Sequence, residues 1–237
     1  DEAPTTPREG SANDTHPRWL AADVLYGTEG TTFTLAYDGV EVGRFETTLG
    51  GAFNVRNCLA AIAAARAVGA SWDGIREGLG SFRSVRRRME VRGRVRGVTV
   101  IDDFAHHPTA VRETLLAARQ RFQGSRVVAI FEPRSYTAQR RESQPAFQAA
   151  LQGADRVILA GLFRPERYDA ATGMDPSELA RDLASNGVAA SYIPEVDDIV
   201  RTLSAEVREG DVVLIMSNGA FGGIHQKLLK TLAATGP

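Results

Sequence analysis

Val98-Thr-Val-Ile-Asp-Asp-Phe-Ala-His-His-Pro-Thr-Ala-Val111 joins an apolar run to a knot of titratable and aromatic side chains. Residues 98–101 have the apolar, β-branched character of a strand, and Pro108 stands where a helix can open. Two aspartates, a phenylalanine and two histidines therefore crowd the carboxyl end of a predicted strand. In open α/β sheets that is the edge where ligands bind. A second apolar run, Val127-Val-Ala-Ile-Phe131, ends in Glu132-Pro-Arg-Ser-Tyr-Thr137, another polar loop. At one edge of a parallel sheet the two loops would face a common cleft.

Working outward, helix-like and strand-like patterns alternate. Helices are predicted over 109–122, 139–152, 175–186, 196–208 and 222–233, and strands over 126–131, 155–160, 189–193 and 211–216. That rhythm predicts an α/β fold with a Rossmann-like, mostly parallel sheet. Residues 91–96 and 98–101 can pair as a hairpin around Gly97. Upstream, 32–37 and 40–45 alternate about Asp38-Gly39, a strong hairpin turn. A helix follows over 54–68, with Gly69 as its stop, and a short one over 72–79. Arg83, Arg86, Arg87 and Arg88 then fall where the period is lost, which places a domain boundary near 85–91 and a linker at 86–90. Residues 1–18, with Pro4, Pro7 and Pro17, are expected to be flexible.

Composition narrows the class. With 237 residues, 43% of them hydrophobic, the chain can bury a real core, and its net charge of −1 argues against general binding to nucleic acid or a membrane surface. The single cysteine, Cys58, excludes a disulfide framework and fits a reducing, cytoplasmic setting. No apolar run is long enough to span a membrane. Neither a Gly-x-Gly-x-x-Gly string at a strand–helix turn nor a Gly-x4-Gly-Lys-Ser/Thr loop occurs in the chain. A nicotinamide dinucleotide is therefore not indicated. The acidic start without methionine reads as that of a fragment.

Asp102-Asp-Phe-Ala-His-His-Pro-Thr109 resembles the loop that opens the C-terminal domain of the Mur ligases, ATP-dependent ligases of cell-wall synthesis. Leu79-Gly-Ser-Phe82, Glu132-Pro-Arg-Ser135 and Met216-Ser-Asn-Gly-Ala-Phe-Gly-Gly-Ile-His-Gln-Lys-Leu-Leu229 resemble the family's murein peptide ligase branch. Together the likeness covers residues 30 to 230. It implies that 1–85 is the rear of the ATP-binding central domain and 91–237 the C-terminal domain. It also implies ATP and Mg2+ as cofactors, with the phosphate loop and most magnesium ligands upstream. UDP-N-acetylmuramate and the murein tripeptide L-Ala-γ-D-Glu-meso-diaminopimelate are the implied substrates, joined through an acyl phosphate. The fragment is expected to be monomeric and inactive alone. Another ligase of the superfamily, such as an L-alanine-adding or folylpolyglutamate-type enzyme, and a non-catalytic peptide-binding module are the alternatives.

Individual residues follow. Asp103 reads either as a carboxylate that accepts ribose hydroxyls or as a helix N-terminal charge; the resemblance turns it towards ATP. His106 and His107 are adjacent and in an extended loop point apart, which disfavours a shared metal. The resemblance puts one of them in the cleft, as part of substrate binding, without saying which. No metal ligands are assigned in this chain. Arg134, followed by Ser135, is the candidate for recognising a peptide carboxylate, because a guanidinium pairs with it two-pronged. Arg140 and Arg141 read as the solvated face of a helix. Asn54 and Asn57 share a helix face and match a segment that in the family contacts adenine; Phe53 stands where the family has histidine. Asn54 alternatively caps the helix. Arg86-Arg87-Arg88-Met89-Glu90 resembles the family's interdomain arginine segment, and alignment on Met89-Glu90 implies that Arg88 is the one that reaches the γ-phosphate. The glycine-rich 218–223 offers backbone N–H groups to an anion, or simply packs tightly.

Overall fold

The computed structural model describes residues 18–169 and 171–234. The predicted flexible tail lies outside the described residues except for Arg18, which pairs with Asp38 at 2.9 Å. Strands β1 (Trp19–Tyr26), β2 (Thr31–Tyr37) and β3 (Val40–Thr47) form an antiparallel sheet in that order. The sequence reading places no strand before Thr32. β1 escapes it because its register slips between Ala22 and Leu25, with Asp23 at φ 49°, so the alternation of its side chains is broken. Helices α1 (Ala52–Ala67) and α2 (Trp72–Ser81) cover this sheet, burying Phe33, Leu35 and Phe45 against Val55, Ile62 and Ile75.

The second sheet holds β4 (Glu90–Val95), β5 (Val98–Asp103), β6 (Val127–Phe131), β7 (Arg156–Leu159), β8 (Ala189–Tyr192) and β9 (Val212–Met216). Its order is β4-β5-β9-β6-β7-β8, parallel throughout except for the hairpin strand β4. The hairpin turns at Arg96 and Gly97, both at positive φ, as a two-residue turn between twisted strands demands. Both faces of the sheet are covered at its centre, which explains why β6 and β9 are continuously apolar. Val127, Ala129 and Phe131 pack towards α3 (Pro108–Arg121), α4 (Gln144–Leu151) and α5 (Pro176–Ser185). Val128 and Ile130 pack towards α6 (Val196–Glu206) and α7 (Ile224–Ala234). β9 repeats the division, with Leu214 on one side and Val213 and Ile215 on the other.

One helix is shorter than predicted. Over 139–152 the chain makes two single 3-10 turns before α4 begins at Gln144. At Arg140 the backbone is extended (φ −94°, ψ 139°) and bridges Gly173, and Pro145 in the first turn of α4 favours a helix start there. Arg140 and Arg141 therefore do not lie on a helical face. β9 returns between β5 and β6, so the strand order reverses there and the loops after β5, β6 and β9 converge at one carboxyl edge.

Candidate functional site

A cleft of about 750 Å3 opens between the two sheets, beside the loop after β5. It gathers Phe53, Asn54 and Asn57 from α1, Phe82, Val85 and Arg88 from the connecting segment, Asp103 from β5, and His107 and Glu113 at α3. Asn54, Asn57, Arg88, Asp103 and His107, far apart in sequence, thus share one cavity.

Their availability differs. Asp103 is only 3% exposed. Its Oδ2 accepts the Met89 N–H at 2.8 Å, and Oδ1 accepts the Ala105 N–H at 2.8 Å and the Thr114 hydroxyl at 3.2 Å. Burial pushes its carboxyl pKa up, opposed by those hydrogen bonds and by Arg88. Three of its roughly four acceptor positions are therefore spent, two on holding the connecting segment and α3 together and one on its own loop. Asn54 is not the cap of α1, because the helix starts at Gly51; its amide donates to Gly50 O at 2.8 Å and its oxygen accepts from Asn57 Nδ2 at 3.3 Å. The Asn57 oxygen remains open to a ligand.

The three arginines of the connecting segment divide. Arg87 donates Nε to Asp102 Oδ1 at 3.3 Å and Nη2 to Ser217 O, and its carbonyl accepts from Phe104 N at 2.9 Å. Arg88 is exposed, 5.7 Å from the Phe104 ring centre, and among the described residues it makes no ion pair within 4 Å, although its charge is felt by Asp103. Arg86 is exposed. Arg87 is thus tied into the larger sheet, whereas Arg88 offers the cleft an unmatched cation.

The histidines also divide. His107 lines the cleft, and its Nδ1 accepts the Thr109 N–H at 3.4 Å as the cap of α3. His106 Nδ1 lies 2.9 Å from Phe104 O, with its ring edge-on to Phe104. Among the described residues no three His, Cys, Asp or Glu side chains gather as a metal ion would need.

Arg134 and Ser135 stand at the same sheet edge but outside this cleft. The Arg134 guanidinium lies 3.6 Å from the centre of the Phe163 ring and 3.8 Å from Glu132. Any Cβ at Gly219 would come within 2.2 Å of its Nε, so the glycine-rich turn is packing against Arg134. Ser135 Oγ accepts the Ala138 N–H at 3.1 Å and sits 3.5 Å from His106 O. Buried Glu132 accepts from the Ser217 hydroxyl. The sequence reading missed a buried cluster beneath this edge: His225 on α7 lies 3.4 Å from Asp102, which also meets Arg87 and, at 3.9 Å, Arg92. Nothing local marks it, since its members come from four separate elements.

Residues 87–219 match the family described as Mur ligase, glutamate ligase domain. The chain belongs to the Mur ligase family. A UDP-N-acetylmuramate–L-alanyl-γ-D-glutamyl-meso-2,6-diaminoheptandioate ligase of Escherichia coli K12 is 40% identical over 207 residues, covering 87% of this Mur ligase chain and 43% of the relative. A UDP-N-acetylmuramate–L-alanine ligase of Salinibacter ruber is 38% identical over 208 residues, with the same two shares of 87% and 43%. The crystal structure of a murein peptide ligase from Psychrobacter arcticus 273-4 aligns with a TM-score of 0.62 at 32% identity, over 93% of this chain and 45% of that one. The Mur ligase chain therefore spans less than half the length of the curated relatives it matches.

Proposed function

We propose that this chain is the nucleotide-closing and peptide-receiving part of an ATP-dependent ligase. The ligase joins the murein tripeptide L-Ala-γ-D-Glu-meso-diaminopimelate to UDP-N-acetylmuramate. The observation that carries this reading is the meeting of Asn57, Arg88 and Asp103 in one cleft, next to a separate arginine-bearing loop at the same edge. The cleft suits an adenosine: its walls are apolar at Phe53, Phe82 and Val85, and the Asn57 amide oxygen can accept from an exocyclic amine. Asp103 keeps one acceptor position for a ribose hydroxyl, while its other contacts fix the segment that carries Arg88. Arg88 supplies a cation where charge grows on a transferring phosphoryl group. His107, not His106, is the histidine that faces the ligand. Arg134, held flat against Phe163, presents its outer edge to a peptide carboxylate, with Ser135 beside it. Residues 1–85 are the rear of the ATP-binding domain and 91–237 the C-terminal domain. Mg2+ would be held mostly by residues of the enzyme outside this chain.

The chemistry has a direct test. The full-length enzyme is given ATP, tripeptide and UDP-N-acetylmuramate carrying oxygen-18 in its carboxylate. If the carboxylate is phosphorylated before the amine attacks, one labelled oxygen ends in inorganic phosphate. Unlabelled phosphate alongside amide product contradicts the acyl phosphate route.

A further inference from the structure

We propose that the hollow between the loops after β6 and β7 is a second anion-binding subsite, which takes the free carboxylate at the distal end of the incoming peptide. The inference rests on the peptide-ligase reading above. The hollow measures about 290 Å3 and is lined by Tyr136, Arg140, Arg167, Tyr168 and Thr172. That is near the lower limit of small-ligand sites and suits one residue of a ligand, not a whole nucleotide.

Its outer wall is a long loop. Between β7 and α5 the chain takes residues 160–175, well beyond the roughly 2–6 residues such connections need. Its described residues are tied down on both sides. Met174 N donates to Gln139 O at 2.8 Å, Arg141 N to Thr172 O at 2.9 Å, and Tyr168 OH to Tyr136 O at 3.4 Å. Asp169 Oδ1 gathers Ala171 N, Thr172 N and the Thr172 hydroxyl within 3.0 Å. A site already ordered in this way binds without a large ordering cost.

The charges leave room for one carboxylate. Arg140 is matched by Glu142 at 2.8 Å, and its Nη1 donates to the Tyr136 hydroxyl oxygen at 2.8 Å. The Tyr136 O–H proton is thereby left to donate outward. Arg167 is exposed and its side chain has no partner among the described residues. One unmatched guanidinium and one free phenolic O–H make a complementary pair for a single carboxylate. Position supports the peptide as its source. Tyr136 follows Arg134 and Ser135 directly, and Phe163, on which Arg134 lies, belongs to the same loop as Arg167.

The test uses the full-length enzyme with two peptides that differ only in a C-terminal carboxylate or carboxamide. The wild type should prefer the acid. In Arg167→Gln the acid-over-amide ratio of kcat/KM should fall about ten-fold, the size of one charge-assisted contact, and Arg167→Lys should restore part of it. A merely structural role for Arg167 would lower both peptides equally and would overturn the proposal, as would an unchanged ratio. Relief of the acid preference by inorganic phosphate in the wild type but not in Arg167→Gln supports the subsite; equal inhibition of both counts against it. Wild-type enzyme that joins neither peptide overturns the ligase reading, and this subsite with it.

Discussion

Asp103 shows how much a single side chain does here. It receives the Met89 N–H on one oxygen and the Ala105 N–H on the other. Asparagine has one acceptor oxygen, so Asp103→Asn must leave one of those buried N–H groups facing an amide NH2. The expected loss of stability is about 1–3 kcal/mol, read as a fall in the urea midpoint; an unchanged midpoint contradicts the anchoring role. His225 supplies a pH dependence. Burial lowers its pKa, outweighing the pull of Asp102; Arg87 and Arg92 lower it further, and Glu90 raises it. A histidine depressed in the folded state contributes stability above its unfolded pKa of about 6.5, lost as the pH falls from there through the folded value. His225→Gln should therefore flatten the decline in stability between about pH 7 and 5 that the wild type shows, and an identical decline in both would contradict it. Asn57 and Arg88 were singled out from the sequence as residue types beside predicted elements, while the choice between His106 and His107 stayed open until the structure put His107 at the cleft. The spending of Asp103 was not, because its donors at Met89 and Thr114 lie on either side in the chain and nothing local announces them. Arg134 likewise leans on Phe163 and Gly219, both remote in sequence.

The elements behaved as their periodicity demanded wherever burial was simple. β6 and β9 are apolar on both faces because helices cover both, and the sequence shows them as unbroken runs, whereas β5 is interrupted at Thr99 and ends in two aspartates and β7 opens on Arg156. β1 was hidden by its bulge, and the front of the helix predicted over 139–152 was lost because Arg140 pairs with Gly173 across a loop that local pattern cannot reveal. The connecting segment is the most instructive case. Arginines without period predicted a linker at 86–90, yet Arg87 and Met89 are tied to the larger sheet through Asp102, Ser217 and Asp103. Phe82 O still accepts the Thr48 hydroxyl at 2.6 Å, so the exposed stretch without such a tie is 83–86. Limited trypsin should then cut first after Arg83 or Arg86 and spare Arg87, leaving a compact C-terminal piece that begins at residue 84 or 87. First cleavage within 100–230 would mean that the connection is not the weakest segment.

At the scale of the molecule, the two sheets meet along α1 and α3. Gly51, at φ 93°, lets α1 begin where any Cβ would come within 2.5 Å of the Ala117 Cβ, and Ala52 N donates to Gln120 Oε1 at 3.1 Å. Arg56 pairs with Glu113 at the rim of the cleft, and Arg121 reaches Thr28 O at 2.8 Å. The cleft exists because these two layers touch at one end and stand apart at the other. The α/β class and the carboxyl-edge location were legible from strand–helix alternation, whereas strand order and the meeting of the sheets depend on contacts distant in the chain. What enters that cleft and the hollow after β6 and β7 decides the function. The full-length enzyme is given ATP, Mg2+ and UDP-N-acetylmuramate, together with either L-Ala-γ-D-Glu-meso-diaminopimelate or L-alanine, and phosphate release and product mass are followed. An enzyme built to pair peptide carboxylates should favour the tripeptide by at least about 100-fold in kcat/KM, because the single amino acid leaves those pairs unmade. Preference for L-alanine, or no amide product with either, would contradict the account.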